Sequence, residues 1–285
     1  MNRMLCALLL VIGLLITHDC QALNITYMGL GAGRDQYFTD LLTAALKHAE
    51  GGPHKVARYI HDLPHHRSFY FLEKNQDIDL VIAYATTERH EKYLALPIPL
   101  MKGINGWRVS FVHKDNVDIF KEVKSLKALK KFIPGQFHAW TDAKILAENG
   151  LIPATSSEFL GLYALLDKKR IDYYPRFFGE IDLELNNPGL KIGPLKNLLA
   201  DPHIILIYPT AFHFYANKQN DKLFELLLNG FDKIIANGTF DNIFQQYFGS
   251  ALDKVRSEKR QVFYLQNSFL PPINPAREKQ LLEKY

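Results

Sequence analysis

Two rhythms of apolar positions organise the first hundred residues. Leu23–Leu30 (LNITYMGL) carries strand-forming side chains and runs into the turn GAGRD. Phe38, Leu41, Leu42, Ala45, Leu46 and Ala49 then recur at helical spacing, and Gly51 ends the run. Val56–Ile60 fits a second strand and HRSFYFLEKN a second helix. Ile78–Tyr84 (IDLVIAY) is an unbroken apolar run, the pattern of a strand buried on both faces. The order β-α-β-α-β predicts an open α/β sheet.

The rhythm changes at Gly106–Asp115 (GWRVSFVHKD), a long strand after the Pro- and Gly-marked LPIPLMKGING. A helix (SLKALKK), a short strand (FIPGQF), the loop HAWTD, a helix ended by Gly150 and a strand (LIPAT) follow. Thr155–Glu158 has the T-x-x-E form of a capping box and predicts a helix over EFLGLYALLDKK. Arg170–Ile181 (RIDYYPRFFGEI) starts as a strand, but Pro175 has no N–H to give a ladder, so the strand ends there or lies at an edge. His203–Tyr208 is a further strand; DKLFELLLNGFDKIIANG and TFDNIFQQYFG are helices. Ser250–Tyr285, charged and then Pro-marked, reads as an appendage or strap.

Composition adds limits. The 285 residues are 47% hydrophobic and 22% charged, an ordinary globular balance. A net charge of +4, from 34 basic and 30 acidic residues, with no basic patch interleaved with aromatics, does not suggest nucleic acid as a partner. Arg3 before the apolar run Leu5–Ile16, with Cys20 and Ala22 at the small-residue exit, predicts a signal peptide. That run is about 12 residues long, against the roughly 20 that cross a bilayer. Both cysteines, Cys6 and Cys20, fall in this segment, so the mature chain is expected to carry no thiol.

Candidate chemistry is local. Gly29–Gly33 (GLGAG) follows a strand and precedes a helix, but Arg34 stands where a dinucleotide fingerprint needs its third glycine. His61, His65 and His66 are interrupted by Pro64, and a metal would need ligands from elsewhere; no metal or cofactor is expected. Arg89, with Thr86 and Thr87, directly follows the buried strand ending at Tyr84, the place where open α/β sheets bind ligands. Its guanidinium fork matches a carboxylate. Trp140 precedes a helix start that Thr141 or Asp142 is placed to cap.

IDLVIAYATTER resembles the strand-plus-T-x-x-R segment of the bacterial periplasmic solute-binding proteins of type 2 fold, in the amino-acid-binding group, family 3. SLKALKKFIPGQF is similar to that group's opening of the second lobe. LGLYALLDKKRIDYY is similar to its A-L-x-x-G-x-x-D-A helix and strand, and NGTFDNIFQQYFG to its D-G-T-Y-D-x-I-Y-x-K-W-F-G ending. The likeness covers about Leu23 to Gly249. GQFHAWTDAKILAENGL, RIDYYPRFFGEI and LPIPLMKGINGWRVSFV are similar to one branch of the group. The departures are a shorter T-x-x-R loop, a first strand without the Y-P-P-F segment, and YPRFFGE where the group carries an aspartate for the ligand's amino group.

The resemblance implies an α/β chain with the two-lobe periplasmic binding protein type 2 fold. Each lobe would be an open, mostly parallel sheet flanked by helices, and two hinge strands near Trp107–Val112 and Leu206–Pro209 would join them. The implied division is a signal peptide 1–22, lobe 1 from 23–108 and 209–249, lobe 2 from 109–208, and a C-terminal extension 250–285. It implies a periplasmic monomer, not an enzyme. This monomer would enclose a small carboxylate-bearing solute, an amino acid or a relative, and present it to an inner-membrane ABC permease. Arg89, Thr86, Thr87 and Tyr84 would hold the solute from one side, and Trp140, Thr141, Arg176 and Glu180 from the other. Two arginines facing one cleft would favour two negative groups; the other arrangement open to Arg176 is a pair with Glu180 at the rim. A sensory module for a membrane partner is an alternative, as is a dehydratase-like enzyme using Glu180 or His138 as general acid.

Overall fold

The computed structural model describes residues 22–31, 35–186, 193–272, 274 and 278–285. The signal-peptide expectation and Gly33 of the glycine turn lie outside the described residues. The chain divides into two compact units, Met1–Val81 with Ala216–Ile243, and Ile82–Tyr215 with Phe244–Tyr285.

From the N-terminal end the elements are β1 (Asn24–Met28), α1 (Gln36–His48), β2 (Lys55–Arg58), α2 (His65–Glu73) and β3 (Leu80–Tyr84), in the order the apolar rhythm predicts. Then come α3 (Thr87–Lys92), β4 (Leu94–Ala95), β5 (Trp107–His113), α4 (Leu126–Leu129), β6 (Gly135–Phe137), α5 (Thr141–Glu148) and β7 (Ala154–Ser156). The capping box does not form. Thr155 is inside β7, and Ser156 Oγ accepts the Glu158 N–H (3.0 Å) just before α6 (Phe159–Asp167).

β8 (Tyr174–Phe177) begins close to where the sequence has a strand end or lie at an edge. Pro175 sits within it, opposite Ser110 of β5, and β8 is the last strand of its sheet, so the missing N–H is tolerated at an edge. The chain turns from β8 straight into α7 (Phe178–Asn186), which the sequence reading missed. β9 (Leu198–Ala200), β10 (Ile204–Ile207) and β11 (Phe212–Ala216) follow, the first and last also unforeseen. α8 (Asp221–Ala236), α9 (Thr239–Ser257) and β12 (Gln261–Tyr264) complete the chain. The tail is therefore not a loose appendage: α9 runs on to Ser257, and β12 joins a sheet beside β10.

In the first unit, β1 lies parallel to both β2 and β3, with Ile25 opposite Val56 and Tyr27 opposite Leu80. α1 buries Phe38, Leu41, Leu42, Ala45 and Leu46 on one face; α8 buries Leu223, Leu227, Phe231 and Ile234. These two helices meet so closely that a Cβ on Gly230 would fall 2.3 Å from the Ala45 carbonyl oxygen.

In the second unit, β5 is buried at every position and lies at the middle of the order β12-β10-β5-β8, with β9 also paired to it. β10 pairs β12 in parallel and β5 antiparallel, with Ile207 opposite Trp107. Val112, Phe120, Leu129, Ile145, Leu146, Tyr173, Leu206 and Phe263 pack against one another beside this sheet. Each such side chain contributes about 1.5–3 kcal/mol by leaving water.

Candidate functional site

A polar cluster is buried inside the second unit, and it starts with a residue the sequence reading passed over. Arg108 on β5 is only 6% exposed. Its Nε donates to the Tyr208 hydroxyl (2.7 Å), and its Nη2 reaches the Tyr84 hydroxyl and Asp142 Oδ1, the latter at 2.6 Å. Tyr208 also donates to Asp142. Asp142 lies in the first turn of α5, where a carboxylate complements the helix dipole. Neither Thr141 nor Asp142 caps α5: the N-cap position belongs to Trp140, and Asp142 turns inward to Arg108. Burial raises the Tyr84 hydroxyl's pKa far above its ordinary value, and Arg108 offsets part of this.

Next to it, Arg176 on β8 is 3% exposed. Its Nη2 pairs with Glu180 (2.7 Å) and with Glu184, and its Nε donates to both Glu184 oxygens at 3.1 and 3.2 Å. Glu180 and Glu184 are one turn apart on α7, so a single helix face presents both. Tyr163 of α6 donates to Glu184 (2.5 Å). The guanidinium also lies over the rings of Phe159 (4.9 Å), Trp140 (5.1 Å) and Tyr174 (5.4 Å). Arg176 is thus not an uncompensated cation facing Arg89. It pairs with Glu180, whose side chain is partly exposed, and with a second carboxylate, Glu184, that the sequence reading did not name. Glu180 also acts on the Tyr84 hydroxyl, so the two clusters are neighbours. Together they bring three carboxylates (Asp142, Glu180, Glu184) onto two guanidiniums (Arg108, Arg176).

The T-x-x-R loop adjoins this cluster through Tyr84. Thr86 caps α3, its Oγ1 accepting the Arg89 N–H (3.3 Å). Arg89 is partly buried and donates from Nη1 to the Tyr84 carbonyl (2.8 Å); burial lowers the pKa of its guanidinium. The Thr87 N–H donates to the Phe269 carbonyl at 3.1 Å. Tyr84 therefore connects the two halves, its carbonyl holding Arg89 and its hydroxyl lying in the acidic cluster. Thr141 is half-buried at the start of α5. His138 is exposed, its ring bonded to the Ser156 carbonyl (3.1 Å).

Arg108 and Glu184 left signals in the sequence: a lone charge inside the apolar run WRVSFV, and an acidic residue one helical turn beyond Glu180. Asp142 and Tyr208 left none, because only the tertiary fold brings them to Arg108. The glycine turn has a structural role. The Asp35 carboxylate accepts the N–H groups of Leu30 (2.8 Å) and Gly31 (3.3 Å), and Arg58 Nε pairs with it at 2.5 Å. A Cβ on Gly29 would stand 2.2 Å from that carboxylate. Among the described residues no group of three or more His, Cys, Asp or Glu is arranged to hold a metal.

Solved structures show the same architecture. A probable amino-acid ABC transporter extracellular-binding protein from Bacillus subtilis superposes with a TM-score of 0.56 at 17% identity, covering 80% of this chain and 100% of that one. The fold is that of the type 2 periplasmic binding proteins. A histidine kinase sensor domain with similarity to periplasmic binding proteins matches at TM-score 0.56 and 14% identity, over 79% of this chain and 96% of that one. An ancestral amino acid-binding protein, a precursor of cyclohexadienyl dehydratase, matches at 0.54 and 16%, over 79% and 95%. No protein-family model and no curated protein sequence matches the chain. Among the described residues no helix is long and apolar enough to cross a membrane.

Proposed function

We propose that the protein is a periplasmic solute-binding protein for a small solute with a carboxylate and an ammonium group, an amino acid or a close relative. It would deliver this solute to an inner-membrane ABC permease. The observation that carries the reading is the charge layout around Tyr84. Arg89 and the two threonines stand at one end, and at the other Asp142, Glu180 and Glu184 pair with Arg108 and Arg176, so that Arg176 is already held by carboxylates of the chain itself. That layout favours a zwitterion over the doubly negative ligand that two unpaired arginines would have suited. The lobe division 23–108 with 209–249 against 109–208 is part of this proposal.

The test is calorimetric titration with amino acids, dicarboxylates and short peptides. Arg89→Ala is expected to weaken the identified solute at least tenfold, roughly the worth of hydrogen bonds to a charged group, with an unchanged circular-dichroism spectrum. Equal affinity in the variant and the wild type would refute the assignment.

A second reading, a sensory module, is supported by the likeness to the kinase sensor domain. Co-purification of the solute-loaded protein with a permease or with a membrane kinase separates the two. An enzyme on the same fold predicts chemical turnover of the bound solute, which the titration samples would reveal on standing.

A further inference from the structure

One donor that a solute carboxylate needs is already occupied. The Thr87 N–H, two residues before Arg89, donates to the Phe269 carbonyl at 3.1 Å. Phe269 belongs to the strap that follows β12, and this strap is fastened along its length. The Leu265 N–H continues the ladder to the Ile207 carbonyl (2.8 Å). Asn149, just beyond α5, brackets Gln266 with two bonds of 2.8 Å, one to its carbonyl and one from its N–H. Asn267 donates to the Pro209 carbonyl (2.9 Å) and accepts the Phe269 N–H (3.1 Å). The Ser268 N–H donates to Glu148 (3.2 Å). Farther on, Glu278 faces His213, with 2.9 Å between carboxylate oxygen and ring nitrogen.

We propose that residues 266–271 are an internal competitor for the solute's carboxylate. Phe269 offers Thr87 a neutral carbonyl in the place a carboxylate would take, and the solute binds as the strap withdraws. The proposal rests on the reading of Arg89 and Thr87 as the carboxylate site. The exchange is chemically downhill. A carboxylate makes charge-assisted bonds roughly twice as strong as a neutral carbonyl's, and it engages Arg89 as well. The closed strap nevertheless lowers the apparent affinity by the fraction of molecules in which it is open.

The full chain carrying Asn149→Ala and Asn267→Ala loosens the strap without touching any residue assigned to the solute. Amide hydrogen exchange at Thr87 is compared with that at Leu265, and each protein is titrated with an equimolar mixture of the common L-amino acids. Exchange at Thr87 is expected to quicken at least about tenfold, since each lost side-chain bond contributes a modest but measurable amount. Leu265 stays protected, and the half-saturating concentration of the mixture falls by a similar factor. Unchanged Thr87 exchange, or equal half-saturation in both proteins, overturns the proposal; in the latter case solute binding itself still stands. If neither protein is saturated although Thr87 exchange quickens, the carboxylate reading fails, and the competition fails with it.

Discussion

At Arg176 a permanent cation is buried to 3% exposure, which is tolerable only because Glu180, Glu184 and three aromatic rings surround it. Removing one partner from such a group leaves the others as uncompensated buried charge, and that is where the energetic penalty lies. Arg176→Met is therefore expected to reduce stability by about 3–5 kcal/mol in urea unfolding. The triple variant Arg176→Met, Glu180→Gln, Glu184→Gln should recover most of the loss, because it removes the charges together. A single variant as stable as the wild type would show that the carboxylates do not depend on the guanidinium. The sequence made Arg176 conspicuous as a charge after a proline, and it offered Glu180 as a partner. It did not show the depth of the pair. Depth comes from α7 following β8 without a loop, so that Glu184 swings in as well.

Between elements, Gly230 sets how closely α8 approaches α1. Two effects oppose each other there. Alanine is the better helix former by about 1 kcal/mol. A methyl placed 2.3 Å from the Ala45 carbonyl oxygen must push the helices apart, and overpacking of this kind costs about 1–3 kcal/mol. The obstacle is backbone, which does not rotate away, so the second effect should prevail. Gly230→Ala is expected to lower stability by up to about 2 kcal/mol, and a rise of urea midpoint instead would mean the helices slide freely. The amphipathic stripes of α1 and α8 were plain in the sequence, but nothing in either stripe says that they meet at a glycine. The same limit explains why the bounds of β8, though not its presence, and the whole of β11 went unread. A four-residue strand holding a proline, and a strand written PTAFHFYA, lack the clean alternation or apolar run by which strands are read. Their place is decided by β5 and by the segment around Leu96, whose N–H donates to the Phe214 carbonyl (2.9 Å).

On the scale of the whole chain, the α/β class was legible because long apolar runs and helical stripes survive in any one sequence, and the binding-protein fold was implied by the resemblance of segments such as IDLVIAYATTER and NGTFDNIFQQYFG. For the C-terminal segment the sequence offered an appendage or a partly ordered strap, and its charged, proline-marked composition could not show the fastenings, which are distant residues. One of them responds to pH. Glu278 faces His213 of β11, and His90 of α3 touches the same ring, with 3.1 Å between ring nitrogens and Tyr215 edge-on at 5.9 Å. Burial first, and the neighbouring His213 second, push the His90 pKa down from 6.5 to about 4, against the pull of Glu278. For Glu278 burial acts upward, but the facing His213 ring and the Asn274 N–H prevail and bring it below the usual glutamate value of 4.5. Between pH 4 and 6.5 the unfolded chain therefore binds a proton at His90 that the folded chain does not, so this residue makes stability rise with pH across that window. Glu278 acts in the same sense lower down: its contribution is present above 4.5 and is lost as the pH falls through its lowered folded value. His90→Gln keeps an amide donor near His213 but removes the titration. The melting temperature of the wild type should accordingly climb more steeply than that of the variant between pH 4 and 6.5, and the two should run parallel above it. Parallel curves throughout would mean that His90 titrates alike in the folded and unfolded chain, and the histidine pair would then be packing without a pH response.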